Sequence, residues 1–218
     1  MKLYCMFGAC SLTDHIVLEW IGKPYEVEQV AREALKTSYL KINPSGAVPA
    51  LALDDGTILT QNIAILDYLA SLAPEAKLMG DGSALARARV LRWLAFLNAD
   101  VHKNFSPLFS APRFVDGEAA QESLKHKAAE RLREQFETLD AQLGGNAWLV
   151  DNRRSVADPY LYVVLRWAKA MKLDLSGLGN LARFVAHMES DAGVQAALKA
   201  EGSEERRVGK ECRLLCRS

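Results

Sequence analysis

The pattern of apolar residues changes at the segment GDGS, residues 80–83, and this change constrains the fold most. Before this segment, short runs of strand length interleave with runs at helical spacing. From Ala84 onward, apolar residues recur almost entirely at the spacing of a helix. The sequence therefore predicts an α/β domain over residues 1–76, a linker over 77–83 and an all-α domain over 84–202.

The α/β half has the predicted element order β-α-β-α-β-β-α. In chain order its segments are KLYCM (strand), Ser11 to Ile21 (helix), YEVEQV (strand), SYLKI (helical turn), AVPALAL and TILT (strands), and QNIAILDYLASLA (helix). Gly22 and Pro24 end the first helix, and Pro74 stops the last one. The turn Asp54-Asp55-Gly56 lies between the two late strands and indicates a hairpin. These elements predict a small mixed sheet with helices on its faces.

The helical half contains one long apolar stripe and one central helix. The stripe has spacings of four and three and consists of Leu124, Ala128, Leu132, Phe136, Leu139 and Leu143. The motif Ser155-Val156-Ala157-Asp158 resembles a capping box, and the apolar run YLYVVLRWA that follows predicts a buried helix. The predicted anchors of the core or of the domain interface are Trp20, Trp93, Trp148 and Trp167.

Composition excludes several classes of partner. Lys and Arg number 27, as do Asp and Glu, so the sequence favours neither nucleic acid nor an anionic membrane as partner. No apolar run approaches the roughly 20 residues of a membrane span. No cluster of His, Cys and carboxylates has the spacing of metal ligands, so no metal is expected. Four cysteines are too few and too uneven for a disulfide framework, which favours a reducing cytoplasm.

The segment 203–218, SEERRVGKECRLLCRS, departs from the helical pattern and has few apolar residues. A functional interpretation would be a basic tail that binds a partner. Its first part, however, resembles the translation of a common sequencing adaptor oligonucleotide. We therefore expect a non-native and dispensable tail, which carries Cys212 and Cys216, and we exclude it from functional reasoning.

Cys10 immediately precedes a predicted helix. The run Ser11-Leu12-Thr13-Asp14 resembles a capping box, which makes Ser11 the predicted N-cap. The unpaired N–H groups and the positive end of the helix dipole lower the pKa of a thiol at this position. Cys10 is therefore either a reactive thiol or a small loop cysteine without a role. Thr13 occupies the second cysteine position of a CxxC motif, which weighs against disulfide exchange through two protein thiols.

Two further positions suit a small anionic peptide that contains a thiol. Pro49 lies within a predicted strand, where it lacks the N–H of a ladder hydrogen bond. If the Val48–Pro49 bond is cis, the Val48 backbone faces outward and can pair with an extended peptide; the alternative is a plain edge-strand proline. Gln61 and Asn62 begin a helix, where N–H groups and the dipole can bind a carboxylate; the alternative is that they only cap the helix.

These residues carry a family resemblance. The segments INPSGAVPAL and LTQNIAILDYLA resemble the glutathione-binding half of a glutathione transferase. The segment GACSLTDHIVL resembles the bacterial beta class, in which a cysteine takes the place of Tyr or Ser. The likeness continues through ADVHKNFSPLF, SVADPYLYVVLRWA and ALKAEG. The resemblance implies a thioredoxin-like α/β N-terminal domain followed by an all-α C-terminal domain, which is the glutathione transferase fold.

The resemblance also implies a role for each site residue. Cys10 would contact the glutathione sulfur, with Ser11 close by, and both would be catalytic together with His102. The remaining contacts with glutathione would be Val48 and Pro49 at its cysteinyl backbone, Gln61 and Asn62 at its γ-glutamyl carboxylate, Lys36 at its glycyl carboxylate, and His102 and Lys103 near its thiol. This sequence departs from the family at Asn62, where Ser is usual, and at Cys5, where an aromatic residue is common.

The expected function is conjugation of the thiol of reduced glutathione to small hydrophobic electrophiles. The expected enzyme is a cytoplasmic homodimer that uses glutathione as co-substrate and no metal. One alternative is a glutathione-dependent thiol transferase or reductase that acts through a mixed disulfide with Cys10. Another is a non-catalytic binding or regulatory protein on the same fold.

Overall fold

The computed structural model of the protein describes residues 1–202. The predicted non-native tail, 203–218, lies outside the described residues. The first half of the chain contains the strands β1 (Lys2–Cys5), β2 (Glu26–Gln29), β3 (Ala50–Ala52) and β4 (Ile58–Thr60) and the helices α1 (Leu12–Ile21) and α2 (Asn62–Ser71). The order of strands in the sheet is β2-β1-β3-β4. Because β1 pairs parallel with β2 and antiparallel with β3, the sheet is mixed, as predicted.

The segment between β2 and β3 differs from a regular α-helix. It forms two 3₁₀ turns, Arg32–Lys36 and Ser38–Lys41. Thr37 separates them with φ −135° and ψ −105°, a backbone conformation outside the helical region. The second helix of the predicted order is therefore a pair of short turns, and only its SYLKI part follows the prediction of a helical turn.

The second half of the chain is helical. Its helices are α3 (Ala84–Ala95), α4 (Lys103–Ser110), α5 (Glu118–Leu143), α6 (Ala157–Ala170), α7 (Gly179–Ser190) and α8 (Ala192–Ala200), with a π-helical turn, Phe96–His102, between α3 and α4. The predicted fold class, an α/β half followed by an all-α half, is thus confirmed. The boundaries of the two domains stay a prediction. No helix within residues 1–202 is long and apolar enough to cross a membrane.

The capping motif before α6 forms in part, because the residue that precedes the helix is Val156 and not Ser155. Asp158 accepts hydrogen bonds from the Ser155 N–H at 2.7 Å and from the Ser155 hydroxyl at 3.0 Å. The Ser155 Oγ in turn accepts one from the Ala157 N–H at 3.3 Å. Asp158 also accepts a hydrogen bond from the Leu149 N–H at 2.8 Å, which ties the preceding loop to the helix. The start of the central helix is therefore fixed by one buried carboxylate.

Most of helix α1 is buried, and Cys10 lies just before the start of this buried helix. It packs against α2, against α6 and against α8, which returns from the end of the helical half. Its first seven residues, Leu12 to Leu18, are all buried, although they include Asp14 and His15. Such burial of polar side chains requires partners nearby. Both residues obtain those partners from distant parts of the chain.

Candidate functional site

Cys10 lies in the loop between β1 and α1 and is half-buried. Its Sγ donates a hydrogen bond to the Val48 carbonyl at 3.6 Å. The Val48–Pro49 peptide bond is cis, which is the condition that the sequence left open. Within residues 1–202, the Val48 N–H donates no hydrogen bond. The fold therefore brings the predicted thiol against the backbone position that was predicted to pair with a peptide.

The expectation that the helix start lowers the pKa of Cys10 is wrong. Burial, followed by the charge of Asp14, raises the pKa of the thiol to about 12. The backbone N–H groups of Cys10 and Ser11 do favour the thiolate, but desolvation outweighs them. Cys10 is therefore a neutral thiol at neutral pH and acts as a hydrogen-bond donor.

The prediction that Ser11 is the N-cap of α1 is confirmed for its position, since α1 begins at Leu12, but its side chain does not cap the helix. Ser11 has φ −57° and ψ −21°, a helical conformation in which its hydroxyl makes no capping hydrogen bond. The buried Oγ instead accepts a hydrogen bond from the Met6 N–H at 3.2 Å and lies 3.4 Å from the Met6 carbonyl. Ser11 thus closes the loop that carries Cys10, and its predicted contact with glutathione stays a prediction.

Gln61 and Asn62 stand at the start of α2 but face different surroundings. Gln61 is exposed and has φ 73°, in the left-handed region that is uncommon for residues other than glycine. Asn62 is buried, and its Nδ2 lies 3.3 Å from the Cys10 carbonyl. In the opposite orientation of the amide, the Asn62 NH₂ group instead donates to the two carboxyl oxygens of Asp14, at 2.6 and 3.0 Å. The start of α2 therefore adjoins the Cys10 loop through a buried polar contact.

His102 belongs to a second group of polar and aromatic side chains on the helical half. Its Nδ1 lies 2.8 Å from the Tyr160 hydroxyl, which donates its own proton to Asn98 Oδ1 at 2.8 Å. With the Tyr160 proton directed to Asn98, the Tyr160 oxygen can accept a hydrogen bond from His102 Nδ1. Burial, and then the charge of Lys103, lowers the pKa of His102 to about 4. His102 is therefore neutral at neutral pH.

The Trp167 side chain connects this group to the Cys10 loop. Its Nε1 donates a hydrogen bond to the Gly8 carbonyl at 2.8 Å, and its ring contacts that of His102 with centroids 4.7 Å apart. Through Trp167, His102 is therefore connected to the loop that carries Cys10. Lys36 and Lys103 are exposed, and neither side chain makes a hydrogen bond or ion pair within the described range.

Three residues of this arrangement were not predicted as site residues: Asp14, Asn98 and Tyr160. Asp14 did carry a signal, because it is the one acid in the run LTDHIVL, in which four of the seven residues are apolar. Tyr160 lies in an apolar run that predicts a buried core position. The polar contact of its hydroxyl has no signal in the sequence, because it forms only when α6 packs on the π-helical turn. No three His, Cys, Asp or Glu side chains of residues 1–202 are grouped so that they could hold a metal ion.

The chain thus combines an α/β half, in which a thiol lies beside a cis-proline, with an all-helical half. The chain matches the family models "Glutathione S-transferase, N-terminal domain" over residues 7–72 and "Glutathione S-transferase, C-terminal domain" over residues 89–192. It is 47% identical over 203 residues to glutathione S-transferase GST-4.5 of Xanthomonas campestris pv. campestris, covering 93% of this chain and 99% of that protein. The chain belongs to the glutathione S-transferase family and is a transferase.

Solved structures agree with this assignment. A glutathione S-transferase from Xylella fastidiosa has a TM-score of 0.88 and 47% identity, covering 92% of this chain and 98% of that one. A sphingomonad glutathione S-transferase complexed with glutathione has a TM-score of 0.84 and 39% identity, covering 93% and 99%. A bacterial beta class enzyme from Sphingomonas chungbukensis has a TM-score of 0.82 and 36% identity, covering 93% and 99%. The resemblance to the beta class is confirmed.

Proposed function

We propose that this transferase joins the thiol of reduced glutathione to small hydrophobic electrophiles, with Cys10 as a hydrogen-bond donor to the glutathione sulfur. The observation that carries the proposal is the contact of Cys10 with the Val48 carbonyl, beside the start of α2 and a Val48 N–H that has no partner among residues 1–202. A thiol, a free backbone N–H and a helix start match the three functional parts of glutathione. The glutathione complex of the sphingomonad relative supports the same ligand.

The proposed contacts place each part of glutathione against a complementary group. The Val48 N–H, beside Pro49, pairs with the cysteinyl carbonyl, as in strand addition. The γ-glutamyl carboxylate lies at the start of α2 with Gln61 and Asn62, where N–H groups point outward. The exposed ammonium of Lys36 meets the glycyl carboxylate.

The glutathione thiolate is the proposed nucleophile. Two thiolates at contact distance repel each other strongly in a partly dry cleft, and Cys10 keeps its proton. The Cys10 S–H can then donate to the glutathione sulfur instead of to the Val48 carbonyl. The sulfur forms the new bond to the electrophile, and the leaving group departs with its bonding electron pair. Neutral His102 and the exposed cation Lys103 complete the thiol end of the proposed site.

The alternative of a thiol transferase requires Cys10 itself to attack a disulfide as a thiolate. The raised pKa of Cys10 disfavours that step, because the thiolate is the attacking species. The half-buried position of the free thiol nevertheless leaves it within reach of a bound glutathione disulfide. The two functions are therefore best separated by variants of Cys10.

The test is glutathione binding by calorimetry, together with conjugation of 1-chloro-2,4-dinitrobenzene. Because serine retains a donor, Cys10→Ser is expected to conserve conjugation within about threefold, whereas Cys10→Ala loses about tenfold in kcat/KM. Cys5→Ala, which alters the other free thiol of the described residues, is the control. Loss of disulfide reduction with conserved conjugation in Cys10→Ser would support a second, thiol-transferase activity. A wild-type protein that does not bind glutathione would contradict the proposal, and binding without turnover would favour a non-catalytic role.

We further propose that the enzyme works as a homodimer in the cytoplasm. The dimer is supported by the family resemblance, and the reducing compartment by the free thiols of Cys5 and Cys10. Sedimentation velocity at micromolar concentration measures the assembly. A single species near the chain mass of 24.0 kDa would contradict the dimer.

A further inference from the structure

An apolar groove lies between α6, α7 and the loop that joins them, and its volume is about 380 Å³. Six apolar side chains line it: Leu165 from α6, Leu173, Leu175 and Leu178 from the loop, and Leu181 and Val185 from α7. Leu165 and Leu181 are buried, whereas the other four are half-buried and present apolar surface to the solvent. An apolar groove of this volume has the size of a small-molecule site.

Arg133 of α5 holds the loop between α6 and α7 in place. Its guanidinium donates hydrogen bonds to the carbonyls of Asp174 and Ser176, both at 2.9 Å. Side chains alternate along this stretch, so that Leu173 and Leu175 line the groove while Asp174 and Ser176 are exposed. The apolar wall formed by the loop is therefore preorganised, which lowers the cost of binding a ligand there.

The groove and the loop that carries Cys10 lie on opposite faces of α6. Successive residues of an α-helix are rotated by about 100° around its axis. Leu165 and Lys169, four positions apart, share the face that lines the groove. Trp167 lies midway between them, points to the opposite face and donates its hydrogen bond to the Gly8 carbonyl. The groove is therefore separate from the proposed glutathione site.

The charged side chains of the groove are two cations, Arg166 and Lys169, and one carboxylate, Glu189. Arg166 is half-buried, and its guanidinium carbon lies 5.6 Å from the centroid of the Tyr162 ring. Its Nη1 donates to the Tyr162 hydroxyl at 3.2 Å, and its other N–H groups have no partner among residues 1–202. Lys169 is exposed and makes no ion pair within the same range. The surplus of positive charge favours a ligand with one anionic group.

We propose that this groove binds a small amphipathic carboxylate, an unbranched monocarboxylate of medium chain length. The chain covers the half-buried leucines and removes their apolar surface from water. The carboxylate accepts hydrogen bonds from the oriented guanidinium of Arg166 and lies near the charge of Lys169. This site goes beyond the proposed conjugation of glutathione, because its ligand lies on the far face of α6 and takes no part in that reaction.

The first test compares chain lengths and head groups by isothermal titration calorimetry on the full chain. Affinity is expected to rise from hexanoate to octanoate to decanoate, about fourfold for each methylene that the groove covers. Octylamine has the chain length of octanoate but the opposite charge, and it is expected to bind about tenfold more weakly, because Arg166 and Lys169 repel it. Octylamine binding as tightly as octanoate, or affinity independent of chain length, would overturn the proposal.

The second test uses variants of the groove with matched controls. Ala182 is exposed on α7 and lines the groove, so Ala182→Trp fills the groove without entering the core, and octanoate affinity is expected to fall about tenfold or more. Ala186→Trp, at an exposed position of the same helix outside the groove, is expected to stay within about twofold of wild type. Arg166→Gln is expected to lose about tenfold, whereas Lys172→Gln, just beyond α6 and outside the lining, keeps the wild-type affinity.

Other occupants of the groove give different results in the same experiments. Unchanged octanoate affinity in Ala182→Trp would place the ligand elsewhere in the protein. A change of sedimenting mass in Ala182→Trp, without ligand, would make the groove an interface between copies of this chain. Octanoate binding that appears only after truncation behind Gly202 would assign the groove to residues 203–218. Each of these three outcomes would overturn the proposal, whether or not the protein binds glutathione.

Discussion

Replacing Glu201 by alanine is expected to lower the free energy of unfolding by about 3–5 kcal/mol. Glu201 follows the last turn of α8, and its Oε1 lies 3.2 Å from His15 Nδ1 on α1. Neither side chain has any exposed surface, and His15 Nε2 and Glu201 Oε2 have no other partner among residues 1–202. The alanine variant therefore leaves a buried imidazole unpaired, and α8 loses a buried link to the α/β half.

Urea unfolding followed by tryptophan fluorescence measures this effect. The control is a chain truncated after Gly202, which retains Glu201 and is expected to unfold like the full chain, because the tail is predicted to be dispensable. A second control, His15→Met/Glu201→Leu, replaces the pair by apolar side chains and is expected to be less destabilised than Glu201→Ala. A loss below about 1 kcal/mol in Glu201→Ala would show that the pair does not hold the two halves together.

Asp158→Ala is expected to destabilise the protein by about 3 kcal/mol, because it removes the acceptor of three buried hydrogen bonds. Burial raises the pKa of Asp158 to about 6, so the group is still mainly ionised at neutral pH and accepts all three. Two of the donors are backbone N–H groups, of Leu149 and Ser155, that no rotamer change can move toward water. The midpoint of thermal unfolding at pH 7.5 gives the measurement.

Ser155→Ala is the matched control for Asp158→Ala. It removes only the hydroxyl of the same capping motif, so a smaller loss of about 1 kcal/mol is expected. Equal losses in the two variants would mean that the motif acts through the serine cap and that the Leu149 contact contributes nothing. Neither variant touches the Cys10 loop, so glutathione affinity should be conserved in the folded fraction.

The fold could be predicted from the sequence because its elements have clear periodicities and end signals. Gly22 follows α1 in the left-handed conformation, with φ 63°, and its N–H bonds the Leu18 carbonyl as a C-cap. The capping motif before α6 likewise formed from residues three apart. The segment between β2 and β3 is less regular than predicted, because Thr37 separates its two short helical turns.

The candidate site could be predicted only in part. Local signals found Cys10, Val48 and Asn62, and the fold brings these three together. The pKa of Cys10 could not be predicted, because it depends on burial by elements that lie far along the chain, whereas the helix dipole is a local effect. For the same reason the pair of His15 and Glu201, 186 positions apart, has no signature in the sequence.

The hydrogen bond from Trp167 to the Gly8 carbonyl has a mechanical consequence for the cleft. In the proposed site the loop with Cys10 forms one wall of the cleft, and α6 belongs to the helical half. Since an indole N–H bridges them near the thiol, the two walls cannot separate there without breaking this bond. As long as this bond is made, the loop that carries Cys10 and helix α6 move together at this point.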